Sequence, residues 1–139
     1  MNSRRNGNTV IVRLDRGDEI CSSLLAAAQK EGIRGGSVSG IGATDSFTVG
    51  VFDLEKGGYE RFDYSDGNYE IVSLLGNLSV MNGEAYQHLH IVCAGRDGRV
   101  AGGHLLRAII SLTCEIFITV TDEIGRGRNE ELGINTLSL

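Results

Sequence analysis

Proline is absent from this chain of 139 residues, so its turns must be made by other residues. Glycine is abundant instead, with 20 residues, and together with Asn and Asp it predicts a succession of hairpins. No apolar run approaches the roughly 18 residues that a membrane helix requires. No apolar segment follows Arg4 and Arg5, as an export signal would need. We therefore expect a soluble, cytoplasmic protein without a membrane partner.

Cysteine pairs and an excess of positive charge are also missing. The three cysteines, Cys21, Cys93 and Cys114, form no Cys-x-x-Cys motif and have apolar neighbours, which predicts small, reduced core residues. The formal net charge is −5. Because neutralisation of phosphates supplies most of the nonspecific affinity for DNA, this charge argues against a nucleic-acid-binding domain.

One convincing helix pattern occupies residues 17–32. Asp18 and Glu19 lie at its start, Lys30 lies near its end, and Gly32 lies where a left-handed C-cap would fall. The apolar positions share one face, so we expect the helix to pack on a sheet. The glycine-rich segment 35–43 follows a helix and precedes a strand-like segment, which favours a strand over a phosphate-binding loop.

Strand patterns fill most of the remaining chain. Residues 9–14 are rich in β-branched side chains, and alternating segments follow at 45–54, 58–64, 68–80, 85–94, 99–106 and 112–120. Short glycine-containing turns separate most of them, which predicts antiparallel pairing. We expect an α+β fold, with a mostly antiparallel sheet and one principal helix, as a single domain over 1–139. Its core should span about 9–120, followed by a polar tail at 122–139 in which 134–139 forms an edge strand or a subunit contact.

The three histidines of the chain lie within 17 residues of one another, at positions 88, 90 and 104. Side chains two apart on a strand share a face, so His88 and His90 should project together. A three-residue turn at 96–98 with left-handed Gly98 places His104 opposite His90. A two-residue turn instead points His104 away, unless a bulge at Gly102 and Gly103 restores the parity.

Convergence of these imidazoles predicts a metal site. Three neutral imidazoles suit Zn²⁺ or another divalent transition ion and leave a fourth position for water or a ligand. Gly102 and Gly103 would let the pocket backbone approach the ion closely. The alternative is that His88, His90 and His104 are hydrogen-bonded residues on a partly buried face.

Two carboxylates are candidate catalytic partners for such an ion. Glu115 lies on the strand face opposite the apolar residues of its segment, and Glu70 should share a face with Val72 and Leu74. A carboxylate on an apolar face is costly to bury unless it is paired, so either could transfer protons at the site. Each could equally be a solvated residue or the partner of an arginine such as Arg107.

The segments 69–79, 88–105 and 113–120, with their Glu-Ile, His-x-His and Gly-Gly-His motifs, resemble the plant and prokaryote conserved (PPC) domain family, DUF296. The resemblance runs from about Thr9 to Val120. It implies an α+β fold assembled as a homotrimer, with His88, His90 and His104 as metal ligands. A more distant likeness is to acetolactate decarboxylase, a zinc enzyme with a His-x-His pair and a later histidine.

The resemblance leaves the activity open. Plant members join this domain to AT-hook segments that bind DNA, but here Asn129 replaces the hook proline after Arg126 and Arg128, and two glutamates follow. Our leading hypothesis is a trimeric domain that binds zinc or a similar ion beside a pocket for a small ligand, for which a small carboxylate is a candidate. The alternatives are a metal-dependent enzyme acting on a small carboxylic acid, a DNA-binding or regulatory module, and a purely structural metal.

Overall fold

Strands dominate the chain, as its β-branched and alternating segments predict. The computed structural model describes residues 1–139, with nine strands and one helix. In chain order they are β1 (Asn2–Asn6), β2 (Thr9–Asp15), α1 (Ile20–Glu31), β3 (Gly36–Asp53), β4 (Gly58–Tyr64), β5 (Tyr69–Met81), β6 (Glu84–Ala94), β7 (Val100–Val120), β8 (Gly125–Asn129) and β9 (Ile134–Ser138).

Helix α1 begins and ends where its sequence signals predict. Glu19 is its N-cap, and the Glu19 carboxylate accepts hydrogen bonds from the backbone N–H groups of Cys21 (3.0 Å) and Ser22 (2.7 Å). The same carboxylate accepts a bond from the N–H of Ala108 on β7 (3.2 Å), so the cap also ties the helix to the sheet. Gly32 closes the helix with a left-handed φ of 64°. With 12 residues, α1 is too short to cross a membrane.

The strands form one mostly antiparallel sheet, which confirms the predicted α+β class. Strands β3, β5, β6 and β7 pair in a closed circuit, and β4 extends β3 as a hairpin. The β1–β2 hairpin adds to β7 on one side. The β8–β9 hairpin joins β5 through a single parallel bridge between Val80 and Gly125. The sheet therefore extends beyond the predicted 9–120 core in both directions.

The core lies between α1 and one face of the sheet. Ile20 and Leu24 of the helix are fully buried there, as is Ile91 of β6. Cys93 and Cys114 are also fully buried and form no disulfide, and burial raises the pKa of each thiol to about 12. They are therefore inert core residues, as expected.

The prediction of separate strands at 99–106 and 112–120 was wrong, because both belong to the 21-residue strand β7. The intervening residues continue to pair with β3, from Thr48 opposite Arg107 to Thr44 opposite Ile110. Register shifts interrupt this pairing at three points. Such bulges bend and twist a strand without ending it, which allows one strand to cover two parts of the sheet.

We predict that Glu19→Ala lowers the free energy of unfolding by about 1–2 kcal/mol at pH 7, because three backbone donors lose their acceptor. Urea unfolding followed by circular dichroism, at one fixed protein concentration, measures the change. Glu55→Ala is the matched control, since Glu55 is exposed in the turn between β3 and β4. An equal effect of both substitutions would contradict the capping role.

The loss should depend on pH. Burial opposes ionisation of Glu19, but hydrogen bonds from Ser22 and Cys21 outweigh it and hold the pKa of this carboxyl below its ordinary value of 4.5. The Glu19 contribution is therefore fully present above pH 4.5 and is lost as the pH falls through the folded-state pKa. Wild type and Glu19→Ala should converge in stability in that acidic range.

Candidate metal centre

The turn between β6 and β7 is a three-residue loop at 96–98. Gly98 has a left-handed φ of 76°, and its N–H donates to the carbonyl of Gly95 (3.0 Å). The N–H of Gly95 donates in turn to the carbonyl of Arg99 (2.9 Å). Counting outward from this pair, the register places His90 directly opposite His104. Of the two registers that the sequence left open, this is the one that brings the histidines to one face.

The three imidazoles face one another on the side of the sheet opposite α1. Their ring centroids are 5.3 Å apart for His88 and His90, 5.0 Å for His88 and His104, and 5.6 Å for His90 and His104. One ring nitrogen from each lies within 4.8 Å of the other two. His88 and His104 are half-buried, and His90 is exposed. Three histidines in this arrangement could hold one metal ion.

His104 shows that the site fits a metal. Its ring stacks on Tyr59, with centroids 4.9 Å apart and an angle of 29° between the planes. Its Nδ1 atom is buried and has no hydrogen-bond partner in the protein. An orphaned buried polar atom costs about 1–3 kcal/mol, and a metal ion is a partner that would relieve this cost.

The surroundings keep the imidazoles in the form that binds metals. Burial, together with the neighbouring His88 and His90, lowers the pKa of His104 to about 4. Burial and the charge of Arg126 lower the pKa of His88 as well. These two rings are therefore neutral at neutral pH, and neutral imidazole is the ligand that transition metals require.

A pocket of about 290 Å³, which we call the histidine pocket, lies beside His88 and His104. Two hairpins form its walls. The β3–β4 hairpin supplies one wall, including Phe52 and Tyr59. The β8–β9 hairpin supplies the other, including Arg126, Arg128 and Asn135. No aspartate or glutamate lines this pocket, so its charged protein groups are both cationic.

Glu70 and Glu115 lie elsewhere on the molecule. Both are exposed, and together they line a separate shallow depression with Ile41 and Leu112. The predicted shared face of Glu70 and Leu74 was wrong, because a bulge in β5 between residues 71 and 73 turns Leu74 into the core. The catalytic role of either glutamate stays a prediction, and neither lines the histidine pocket of its own chain.

Gly102 and Gly103 do not line the histidine pocket either. A Cβ atom at residue 102 would collide with the carbonyl oxygen of Ile91 on β6. A Cβ atom at residue 103 would lie 2.9 Å from the carbonyl oxygen of Gly50 on β3. The two glycines therefore allow β7 to lie close to β6 and β3. The prediction assigned them a different role, the close approach of the backbone to an ion.

Arg126 is a pocket residue that the sequence pattern does not reveal. Its segment resembles an incomplete AT-hook, whereas the structure buries Arg126 to 7% exposure in the wall formed by β8 and β9. Its guanidinium lies over the ring of Tyr86, 5.1 Å from the centroid. The alternation of Gly and Arg from 125 to 128 is the one local signal of a strand.

A family model described as the Plants and Prokaryotes Conserved (PCC) domain matches residues 1–122. The match ends before β8, so the hairpin that carries Arg126 lies beyond it. No protein of curated function matches the chain.

Several solved structures are similar over nearly the whole chain. A candidate DNA-binding protein from Bacteroides thetaiotaomicron is 33% identical, with a TM-score of 0.94, covering 99% of this chain and 96% of that one. A metal-containing protein from Archaeoglobus fulgidus is 31% identical, with a TM-score of 0.87, covering 96% and 94%. A PPC protein from Pyrococcus horikoshii is 29% identical, with a TM-score of 0.87, covering 99% and 94%.

The distant likeness to acetolactate decarboxylase is confirmed at the level of the fold. A Staphylococcus aureus protein described as similar to that enzyme is 14% identical, with a TM-score of 0.57. The match covers 81% of this chain and 52% of that one. An identity this low carries the fold alone.

We predict that His104→Phe stabilises the metal-free protein by about 1 kcal/mol, because it keeps an aromatic ring on Tyr59 and removes the orphaned Nδ1 atom. Urea unfolding with a chelator present measures the gain. His90→Phe is the control, since that ring is exposed and should bring no gain. A destabilised His104→Phe protein would contradict the assignment of Nδ1 as an unsatisfied atom.

Proposed function

The chain belongs to the Plants and Prokaryotes Conserved (PCC) domain family, and on that premise we propose that it is a homotrimeric metal-binding protein with a pocket for a small ligand. His88, His90 and His104 would hold a divalent transition ion, with zinc the preferred choice. The observation that carries the proposal is the convergence of three imidazole nitrogens, one from each ring, within 4.8 Å. The buried Nδ1 atom of His104, which has no hydrogen-bond partner in the protein, is a second observation that supports it.

Ligand chemistry supports zinc. Imidazole is a preferred ligand of Zn²⁺, and sites with three protein ligands keep one position open, whereas structural zinc sites have four. The absence of a carboxylate or thiolate from the histidine pocket argues against a closed structural site. The Archaeoglobus fulgidus relative, named as metal-containing, supports a metal in this fold. A zinc ion held by His88, His90 and His104 would supply a Lewis acid beside the pocket.

The second candidate function is a metal-dependent enzyme that acts on a small carboxylic acid at this site. Such an enzyme needs a group that transfers protons, and no carboxylate of the same chain lines the histidine pocket. Glu70 or Glu115 could serve only if a neighbouring subunit brought it there. We therefore place ligand binding before catalysis in the proposed function.

DNA binding is the alternative that the description of the Bacteroides thetaiotaomicron relative raises. The net charge of −5 opposes it. Arg126, the first arginine of the Gly-Arg-Gly-Arg segment, is buried and hydrogen-bonded to β5, so it cannot enter a minor groove without breaking these bonds. We do not extend the DNA-binding description to this chain.

An exposed apolar patch supports the homotrimer. Five side chains on β3, β5 and β7, each at least 48% exposed, surround two adjoining depressions that share Glu115. They are Ile41, Val72, Leu75, Leu112 and Phe117. A contiguous apolar surface of this kind marks an interaction site, and a second copy of the chain would cover it.

We predict that purified wild-type protein, saturated with Zn²⁺ and dialysed, retains about one zinc ion per chain and that His90→Ala retains almost none. Elemental analysis by mass spectrometry gives the ratio of metal to protein. Val92→Ala is the matched control, because Val92 is exposed two residues further along the same strand. Equal zinc content in wild type and His90→Ala would remove the site.

For the assembly, we predict a solution mass three times the chain mass of 14.9 kDa. Leu112→Asp should reduce it to the monomer mass, because a carboxylate would be buried in the apolar contact. Leu54→Asp should leave it unchanged, since Leu54 lies in the turn between β3 and β4, outside the patch. Light scattering coupled to size exclusion measures all three masses, and a wild-type monomer would contradict the trimer.

A further inference from the structure

Arg126 is a buried cation that the proposed metal site does not use. Its side chain crosses from β8 to β5 and is held by three hydrogen bonds, two to β5 and one to β9. Nε donates to Ser79 Oγ (3.0 Å), Nη2 donates to Asn77 Oδ1 (2.8 Å) and Nη1 donates to the carbonyl of Asn135 (2.9 Å). These bonds fix the guanidinium in one position.

All three acceptors are neutral. No aspartate or glutamate forms an ion pair with Arg126, and none lines the histidine pocket. Arg128, the other arginine of this wall, is half exposed and reaches a carboxylate only at 4.0 Å, on Glu130. A buried charge without a counter-ion is costly, so the fold holds here a positive charge that an anion would compensate.

The guanidinium also retains free donors. Arginine has five N–H groups, and the protein uses three of those of Arg126, one on each nitrogen. One N–H on Nη1 and one on Nη2 are therefore without a protein acceptor. Arginine commonly binds the two oxygens of a carboxylate in a bidentate manner, and one unused N–H on each terminal nitrogen of Arg126 supplies the two donors that such a contact needs.

Arg126 lies beside the histidines and lines the same pocket. Its partner Asn77 pairs in register with His88, and the Tyr86 ring beneath the guanidinium belongs to the same strand face as His88. Arg126, His88 and His104 line one pocket.

The rest of the histidine pocket indicates an organic ligand. Phe52, Tyr59, Tyr86 and Ile134 add aromatic and apolar surface around the two arginines. A volume of about 290 Å³ suits a small molecule. A carbon skeleton carrying a carboxylate would satisfy both the cationic and the apolar parts of this lining.

We propose that Arg126 is the carboxylate-binding residue of the histidine pocket and that the ligand is a small organic acid with a second oxygen donor beside its carboxylate. The carboxylate contacts Arg126, and the second oxygen faces the three imidazoles. This inference rests on the proposed metal function for the second contact only. The β8–β9 hairpin that provides Arg126 lies beyond the residues that the family model matches.

Calorimetric titration with glycolate, acetate and inorganic phosphate tests the inference, on zinc-loaded protein and on protein treated with a chelator. We expect glycolate to bind the zinc-loaded protein more tightly than acetate does, because only glycolate has a hydroxyl oxygen beside its carboxylate. Arg126→Gln should weaken glycolate binding about ten- to a hundredfold in both forms of the protein, which corresponds to the loss of charged hydrogen bonds. Arg16→Gln, which changes an exposed arginine in the loop before α1, should leave it unchanged.

Equal glycolate affinity of wild type and Arg126→Gln, or no binding of glycolate to the wild type, would overturn the inference. Tighter binding of phosphate than of glycolate would overturn the organic-acid class. If Arg126→Gln does not fold, the Arg126→Lys variant provides the test, because lysine keeps the positive charge but lacks the paired donors of a guanidinium. Unchanged glycolate affinity in Arg126→Lys would contradict the bidentate contact. Binding that depends on Arg126 in a protein that retains no zinc supports the carboxylate contact and counts separately against the metal function.

Discussion

The turn at 96–98 imposes the pairing on which the whole site depends. Gly98 adopts a left-handed conformation that costs other residues energy, and the bond from Gly95 to Arg99 then sets the register of β6 and β7. Because side chains alternate between the faces of a sheet, a shift of one residue would send His104 toward the helix while His90 stayed in place. This register brings the three imidazoles together. The stacking of His104 on Tyr59, the lowered pKa values of His88 and His104, and the pocket beside Arg126 and Arg128 all depend on it.

Local signals were sufficient to predict much of this structure. The helix was marked by its cap residues, the hairpins by their glycines, and the face of each histidine by strand alternation. The length of β7 could not be predicted in the same way. Its middle residues, 107–111, keep their place in the sheet through bulges opposite β3, and a bulge depends on the partner strand as much as on the strand itself.

The composition of the pocket was beyond local signals. Arg126 reaches acceptors at positions 77 and 79, almost fifty residues earlier in the chain, from a segment whose own pattern is that of a polar tail. For Glu115, alternation indicates the strand face but not the distance along the strand. Glu115 lies eleven residues from His104 on β7, a length along the strand of about 36 Å at roughly 3.3 Å per residue.

The weak attachment of the β8–β9 hairpin has a consequence for how this protein could change over time. The hairpin meets the main sheet at one parallel bridge, and the side chain of Arg126 provides the other polar links to β5. The same guanidinium therefore holds the pocket wall in place and contributes the buried charge to the pocket lining. Substitution of Arg126 would remove its hydrogen bonds to β5 together with its charge, whereas Arg128 and Ile134 line the same pocket without bonds to β5. Substitutions that change ligand preference would therefore occur more readily at Arg128 and Ile134 than at Arg126, because the fold itself requires Arg126.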